Sequence, residues 1–422
     1  MIPGEKIRFD IHKILYLIFK QNKTLNDSSI KKLINNNKKE DISFLNNVTL
    51  NSMRFKFHSI KIIEKYLNKR IRTQEKILLI SAVTQIVFLN FKSYAVINCS
   101  VEIAKKLKIY HGFINAILKK ISKEKEKLKE INIEFKNLPL WFKNKTNYLS
   151  LTEKKIFINN LTQEPSLHIV FKDIKKLNNF KENIEKTSDI SGFLVNKKDF
   201  TKIKSFIEGD WWVQDFSSFF PLYNLKMKSK NKKFLDACAA PGGKSFQLLS
   251  KGIKVVLNDK SKLRIKTIKS NLDRLKLSAK ILNEDFTKFN EKEKYDFIIV
   301  DAPCSAVGTI RKNPEIFFKN NGPNFNGLIK LQKSMLEKAS LLLNNNGLIL
   351  YMVCSFLKVE TVDQINNFLR KKTNFQRYSF ELERGNIIPS ELIKDNYMLT
   401  LPNNILNNKI DGYFAAFLKK TK

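Results

Sequence analysis

The sequence predicts a multidomain protein: an all-helical N-terminal domain (residues 1–125), a small α+β connector (126–205) and an α/β domain (206–422). Three observations support this organisation. With 422 residues, the chain is long enough for two or three domains, each with its own core. Apolar residues recur at helical spacing in the first part of the chain. From Phe234 onward, short apolar runs alternate with helix-length segments, which is typical of a doubly wound parallel sheet.

The first two domains differ in their apolar pattern. In the N-terminal domain Phe113, Ile117 and Ile121 form one row along a helix, and glycine and proline are rare. The connector instead combines Pro139 and Pro165 with short mixed patterns. We therefore expect several short helices first and a small α+β unit after them.

The α/β domain is predicted from strand-like runs separated by amphipathic segments. The strand candidates are Phe234–Cys238, Val255–Asn258, Tyr295–Val300 and Leu348–Cys354. The helix candidates include Leu263–Leu277 and Leu328–Leu343. Ligands of doubly wound sheets bind beyond the carboxyl ends of the strands, so the residues that follow each strand are the candidate site.

The charge of the chain points to a polyanionic partner. Lys and Arg number 77 against 40 Asp and Glu, a formal net charge of +37. Because 43% of the residues are hydrophobic, this charge lies on folded domains and not on a disordered basic tail. Both halves of the chain are basic, which favours a nucleic acid as partner. A lysine-rich composition also raises the charge, so charge alone does not identify the partner.

Cysteine and histidine spacing predicts neither a disulfide framework nor a metal site. No two cysteines form a C-x-x-C pair, and the histidines lack the i, i+4 spacing of a zinc site. The most apolar stretch, Ile77–Phe91, is too short for a bilayer, and the N-terminus lacks the apolar region of a signal peptide. We expect a reduced, cytoplasmic monomer with no metal and no membrane contact.

The first strand is followed by a glycine turn that predicts a nucleoside-binding site. Adjacent glycines, Gly242 and Gly243, let the backbone approach a ligand closely, and a helix N-terminus then supplies N–H donors. A P-loop is the alternative, since Gly243-Lys244-Ser245 resembles its end. A P-loop would need glycine at position 238, where this chain has cysteine.

Acidic residues follow the second predicted strand and a later short apolar stretch. Asp259 ends the second strand, where an acidic side chain of such folds binds ribose hydroxyls. Asp285 follows another short apolar stretch and is a candidate for contact with an adenine amine.

Two cysteines follow the last two predicted strands. Asp301 and Cys304 come after Tyr295–Val300, and Cys354 ends Leu348–Cys354. These strands are neighbours in a doubly wound sheet, about 4.8 Å apart, so both cysteines are expected to face one cleft. Most lone cysteines are buried and inert, and Cys99 is interpreted in this way.

Sequence motifs in both large domains resemble known families. DACAAPGGKS, DAPCSAVGTIRKNPEI and LYMVCSFLKVET resemble the motifs of the Sun/RsmB family of RNA cytosine-5 methyltransferases, which use S-adenosylmethionine. QEKILLISAVTQIVFLNFKSYAVINCSVEIAKKL and HGFINAILKKI resemble the later helices of the NusB RNA-binding fold. The resemblance implies a NusB-like RNA-docking domain, a Rossmann-like methyltransferase domain and 16S rRNA as the substrate.

The resemblance also implies roles for individual residues. Cys354 would be the nucleophile that adds to C6 of cytosine, Cys304 would act in release of the product, and Asp301 would bind the N3 and N4 edge. The residues implied in S-adenosylmethionine binding are Cys238, Ala239, Ala240, Pro241, Gly242, Gly243, Lys244, Asp259, Asp285 and Asp301.

Other functions stay open on the sequence alone. The RNA substrate could be a tRNA or another RNA. A non-catalytic NusB-like RNA-binding factor would need neither the second cysteine nor the glycine turn. DNA cytosine-5 methyltransferases use the Pro-Cys cysteine as nucleophile with a Glu-Asn-Val acid, which this chain lacks. A P-loop NTPase would show nucleotide-dependent stabilisation.

Overall fold

A computed structural model of the chain forms two compact units. The described residues are 4–68, 70–195, 199–223, 225, 232–290, 293–380, 392–405 and 408–421. The first unit comprises Met1–Gln163 together with Ile310–Pro323, and the second comprises Glu164–Thr309 with Asn324–Lys422. The connector predicted over residues 126–205 therefore contributes to both units.

The first unit is helical, as predicted. Its helices are α1 (Glu5–Gln21), α2 (Ser28–Asn35), α3 (Lys39–Arg54), α4 (Lys56–Glu64), α5 (Thr73–Val83), α6 (Ser93–Lys106), α7 (His111–Lys123), α8 (Lys125–Lys129), α9 (Leu140–Lys145) and α10 (Leu151–Asn160). The end of α5 widens into a π-helical turn, Thr84–Phe88. Local sequence sets several helix starts. Ser150, for example, begins α10 by accepting from Glu153 N, while Glu153 accepts from Ser150 N.

The core of the helical unit includes a segment that is distant in sequence. Phe318, from the inserted residues Ile310–Pro323, is 4% exposed and lies in the same apolar cluster as Ile11 and Leu15 of α1. Its ring stacks on Phe19 with the centroids 4.0 Å apart. This unit is therefore built from two separate stretches of chain.

The second unit opens with a four-stranded antiparallel sheet. Its strands, in the spatial order β2-β3-β1-β4, and the accompanying helices are β1 (Leu167–Phe171), α11 (Ile174–Asn178), β2 (Ile184–Ser188), β3 (Ser191–Leu194), α12 (Lys204–Ile207) and β4 (Trp211–Val213). Within residues 126–205, helices α9 and α10 precede strands β1 to β3, with α11 between β1 and β2. A separate connector domain with these bounds stays a prediction.

The rest of the second unit contains a nine-stranded mixed sheet and a separate two-stranded antiparallel sheet, formed by the strands numbered β13 and β14 below. The elements along the chain are α13 (Phe216–Tyr223), β5 (Phe234–Asp236), α14 (Gly243–Leu249), β6 (Val255–Asn258), α15 (Lys262–Leu275), β7 (Ile281–Leu282), β8 (Tyr295–Asp301), α16 (Phe325–Leu342), β9 (Leu343–Val353), α17 (Val362–Lys371), β10 (Phe375–Tyr378), β11 (Ile393–Lys394), β12 (Tyr397–Leu399), β13 (Asn403–Ile405), β14 (Asn408–Ile410) and β15 (Phe414–Lys420). The order β9-β8-β5-β6-β7 is parallel, as predicted. Strand β15 adds antiparallel to β9, a feature that the prediction of a parallel sheet did not include.

Both faces of the central sheet are covered, which makes it doubly wound. Alternate residues of β5 face opposite clusters, Phe234 on one side and Leu235 on the other. Helices α13 to α15 pack on the first face, and α16 and α17 pack on the second. The polar residues described next follow the carboxyl ends of the parallel strands.

Candidate active site

The turn after β5 requires glycine at position 242. Gly242 has φ +116, and a Cβ there would lie 2.1 Å from the ring of Phe246. The turn then enters α14, where Ser245 Oγ donates to Asp236 Oδ2 over 2.6 Å. Asp236 is 1% exposed, and burial raises its pKa from 3.8 to about 6 against the opposing hydrogen bond from Ser245.

Lys244, the second residue of α14, points at the end of β8. Its Nζ lies 2.6 Å from Asp301 Oδ2, and the ring centroid of Tyr413 lies 5.7 Å from the same nitrogen. Burial alone would lower the pKa of Lys244, but attraction to Asp301, Asp236 and Cys354 outweighs it and raises the pKa. Lys244 and Ser245 are thus engaged with carboxylates, which argues against the P-loop alternative.

Asp259 lies at the end of β6, as predicted, and is tied to the glycine turn. Its side chain is 3% exposed; Oδ1 accepts from Ser261 N, and Oδ2 lies 3.4 Å from Arg264 Nη1. Arg264 Nη2 donates to the carbonyl of Ala240 over 2.6 Å. Asp259 Oδ2 accepts no hydrogen bond from any residue that the structure describes.

Asn258 is a structural residue that the sequence analysis missed. Its Nδ2 donates to the carbonyls of Ala237 and Glu284, and its Oδ1 accepts from Glu284 N, each over 3.1 Å. It therefore joins the ends of β5 and β6 to the loop after β7. The only signal in the sequence was its position as the last residue of a strand.

Asp285 forms a local turn beyond β7. Its Oδ1 accepts from Thr287 N over 3.1 Å and from Thr287 Oγ1 over 2.7 Å. The hydroxyl of Thr287 contributes most to the lowered pKa of Asp285. Contact with an adenine amine stays a prediction for this residue.

The ends of β8 and β9 bring the two cysteines together. The strands pair in parallel with Asp301 opposite Met352. Cys304 Sγ and Cys354 Sγ lie 3.3 Å apart, and both residues are half-buried. The pKa of Cys304 is raised well above its usual value by the hydrogen bond with Cys354, by burial, and by the charges of Cys354 and Glu360.

Close backbone contacts hold the turn after Cys304. Ala306 has a left-handed φ of 58, and Gly308 N donates to the carbonyl of Cys354 over 3.0 Å. A Cβ on Gly308 would lie 1.8 Å from the carbonyl oxygen of Gly412, so only glycine fits. The loop before β15 thereby packs directly on the cysteine turns.

The described residues include no metal centre and no spanning helix. No group of three or more His, Cys, Asp or Glu side chains among them could hold a metal ion. None of the helices in this part of the chain is long and apolar enough to cross a bilayer.

Comparison with known proteins gives matches to both units. A family model described as 16S rRNA methyltransferase RsmB/F matches residues 223–419, and the NusB family model matches residues 6–123. A ribosomal RNA small subunit methyltransferase B from Shewanella oneidensis is 36% identical over 189 residues, which cover 44% of each chain. One of the same description from Pasteurella multocida is 26% identical over 91% of this chain and 89% of its own length. The solved structure of PH0851 matches all of this chain and 99% of its own, with a TM-score of 0.71 and 20% identity, which shows a shared fold.

Proposed function

We propose the reaction of the chain from the match of residues 223–419 to the 16S rRNA methyltransferase RsmB/F family model and of residues 6–123 to the NusB family model. It transfers a methyl group from S-adenosylmethionine to C5 of a cytosine in 16S rRNA. The reaction passes through a covalent bond between a cysteine and C6 of the base.

The paired cysteines carry this proposal. Cys304 Sγ and Cys354 Sγ lie 3.3 Å apart, at the ends of neighbouring parallel strands and beside the Lys244–Asp301 ion pair. A structural role would need only one buried cysteine, whereas methylation of an aromatic carbon needs a nucleophile and later a base. Two neighbouring sulfurs can supply the nucleophile and the base.

The chemistry explains why a nucleophile must act first. C5 of cytosine is a weak nucleophile, so the Cys354 thiolate adds its electron pair to C6 and the ring electrons move towards C5 as an enamine. N3 takes up one proton from water as the adduct forms and returns it when Cys354 leaves, and Asp301 accepts hydrogen bonds from the N3–H and N4 groups of this adduct. Lys244 pairs with Asp301 over 2.6 Å and attracts a negative Cys354. The target base must be unstacked to reach the two sulfurs.

The residues around the glycine turn fit a nucleoside cofactor. S-adenosylmethionine, when bound, supplies an electrophilic methyl group. Asp259 Oδ2 is buried and accepts no hydrogen bond from the described residues, so a ribose hydroxyl would complete its hydrogen bonding. Gly242, whose φ of +116 suits glycine, lets the backbone of the turn approach the ligand without a Cβ. The turn residues Cys238–Lys244 and Asp285 complete the proposed site.

Cys304 is suited to remove the C5 proton because its hydrogen bonding and electrostatics change once Cys354 has bonded to C6. Before the reaction its pKa is raised by its hydrogen bond to Cys354, by burial and by the Cys354 charge, so it stays a thiol and does not compete as nucleophile. When Cys354 Sγ bonds to C6, that sulfur loses its charge and its hydrogen-bonding role. Cys304 then releases its proton to water more easily and takes the C5 proton. The electrons of the C5–H bond form the C5–C6 double bond and expel Cys354 as a thiolate.

Single substitutions test the two roles on protein-free 16S rRNA with tritium-labelled S-adenosylmethionine. We expect Cys354→Ala to lose methyl transfer and form no RNA adduct. We expect Cys304→Ala to transfer one methyl group and then remain attached to RNA, visible as a slow band on a denaturing gel. Cys99→Ala, which changes a buried cysteine of the helical unit, is the matched control and should behave as wild type.

Two results would contradict the proposal. Methylation by Cys354→Ala together with inactivity of Cys304→Ala would reverse the assignment of the cysteines. Failure of the wild-type chain to transfer methyl groups while it binds RNA would favour a non-catalytic RNA-binding factor. Bisulfite sequencing of RNA from cells with and without the protein identifies the modified cytosine and separates 16S rRNA from tRNA.

A further inference from the structure

A buried carboxylate links the two cysteine turns. Glu360 is 0% exposed and ends a short 3-10 helix, five residues after Ser355. Its Oε1 accepts from Ser305 N over 2.8 Å and from Gln332 Nε2 over 3.2 Å. Its Oε2 accepts from Ser305 Oγ over 2.5 Å and from Ser355 Oγ over 2.6 Å. All four donors are neutral groups.

These donors belong to the residues that directly follow the cysteines. Ser305 comes after Cys304, and Ser355 comes after Cys354. One carboxylate therefore holds both turns by their next residue, and the two serine hydroxyls approach each other to 3.4 Å. The turns have no other side chain in common among these hydrogen bonds.

Hydrogen bonds hold Glu360 through its backbone and through a donor to its carboxylate. Its carbonyl oxygen accepts from the Tyr351 hydroxyl of β9 over 2.8 Å. Gln332 of α16 also donates to the carbonyl of Pro303 over 3.0 Å, and Gln364 of α17 holds the Gln332 carbonyl over 3.1 Å. Strand β9 and helices α16 and α17 thus fix the position of the carboxylate.

We propose that Glu360 is a positioning residue that sets the spacing between the two cysteine sulfurs. The role in turnover depends on the proposed function, but the spacing itself can be measured without RNA. Cys354 must bond to C6 while Cys304 reaches the proton on the adjacent C5, so a small displacement of either turn separates the two steps. A displacement of about 1 Å can cost about a hundredfold in rate.

Glu360 also keeps the two sulfurs chemically different. The pKa of Cys304 is raised most by the hydrogen bond with Cys354, then by burial and by the charge of Cys354. The charge of Glu360 is a fourth, smaller cause of the same increase. This contribution persists when Cys354 is bonded to the base. Removal of the charge should therefore lower the pH at which Cys304 takes up the C5 proton.

Two substitutions separate spacing from charge. In Glu360→Gln the amide oxygen can accept from Ser305 N, and the serine hydroxyls can rotate to accept from the amide nitrogen. The spacing is then kept while the charge is lost. In Glu360→Ala both are lost. Thr187→Val is the matched control, because it removes a buried hydroxyl of the same unit that bonds to His168.

The first measurement is the equilibrium constant for oxidation of Cys304 and Cys354 to a disulfide by glutathione disulfide. Peptide mass spectrometry measures it without RNA. Two protein thiols and one glutathione disulfide give one protein disulfide and two glutathione thiols, so atoms and electrons balance. We expect Glu360→Ala to lower this equilibrium constant by about tenfold or more. Glu360→Gln should stay within about threefold of wild type, and Thr187→Val should not change it.

The second measurement follows methyl transfer to RNA. Glu360→Ala should lower kcat with little change in the KM for RNA. Glu360→Gln should move the pH dependence of adduct release to lower pH, an effect that a general loss of stability would not produce.

Each outcome decides the proposal. A wild-type glutathione equilibrium in Glu360→Ala overturns it, and so does an equal effect of Thr187→Val. Should Glu360→Ala fail to fold, the double change Ser305→Ala and Ser355→Ala removes the two hydroxyl donors, and an unchanged equilibrium there also overturns it. A changed equilibrium in a chain that never methylates RNA supports the spacing role and refutes the proposed function alone.

Discussion

Replacement of Asp236 by asparagine should stabilise the second unit near neutral pH. Asp236 is 1% exposed, and burial raises its pKa from 3.8 to about 6. The folded chain therefore holds this proton more tightly than the unfolded chain does. Its stability falls as the pH rises from 3.8 to about 6 and stays at the lower value above that.

The size of the gain follows from the pKa difference. About 2 pKa units at 1.36 kcal/mol each give a cost of about 3 kcal/mol for the ionised carboxyl at pH 7. Asparagine carries no charge, and its amide oxygen can still accept from Ser245 Oγ, which lies 2.6 Å from Asp236 Oδ2. We allow about 1 kcal/mol for burial of the new amide donor, so the expected net gain is about 2 kcal/mol.

Urea unfolding at pH 7, followed by tryptophan fluorescence, measures this gain. The chain has three tryptophans, of which Trp211 and Trp212 lie in the second unit. A Trp141→Phe background removes the signal of the helical unit. Asp363→Asn, at an exposed aspartate of α17, is the control and should change stability by less than about 0.5 kcal/mol.

The pH dependence gives a second check on Asp236. The gain should shrink towards pH 4, where the carboxyl is protonated in the folded wild type. An Asp236→Asn chain that is less stable than wild type at pH 7 would refute the reasoning. It would show that the charge of Lys244 and the hydroxyl of Ser245 fully compensate the burial of the carboxylate.

Three further predictions concern the helical unit and the active site. Burial and Lys76 lower the pKa of Lys56 from 10.5 to about 7, so the unfolded chain binds this proton more tightly and stability rises with pH between those values. Lys56 should make the free energy of unfolding rise by about 1.4 kcal/mol per pH unit in this range, and Lys56→Met should lack this contribution. Urea unfolding at pH 7.5 and 9.5 measures the difference. Gly308→Ala should lower the melting temperature and activity together, because its Cβ would lie 1.8 Å from the Gly412 oxygen; an unchanged melting temperature contradicts this. Lys244→Gln should reduce methyl transfer at least about a hundredfold, and Lys244→Arg should restore part of it, in the tritium assay.

The parallel core could be predicted because each of its strands is an apolar run in the local sequence. Val255–Asn258 was predicted with the bounds that the structure has, and Tyr295–Val300 differs from it by one residue. The meeting of Cys304 and Cys354 followed from strand adjacency, which the doubly wound pattern already implies. Strand β15 could not be predicted in the same way, because both of its faces are buried and its partners lie far away in sequence.

Glu360 shows why part of the site escaped sequence analysis. A lone glutamate in Lys-Val-Glu-Thr is typical of an exposed helix end, and nothing local indicates burial. In the fold it is buried and accepts from Ser305, which is distant in sequence, and from Ser355. Asp259 was found because its position at a strand end is itself a local signal.

The insertion of Ile310–Pro323 into the helical unit has a consequence for biosynthesis. The ribosome releases residues 1–163 well before Phe318, whose ring belongs in the apolar cluster with α1 and stacks on Phe19. The apolar cluster around α1 in the nascent helical unit therefore lacks Phe318 until more than a hundred further residues have been translated. Its folding is completed only when the loop after the Cys304 turn has been synthesised, which couples the maturation of the two units in time.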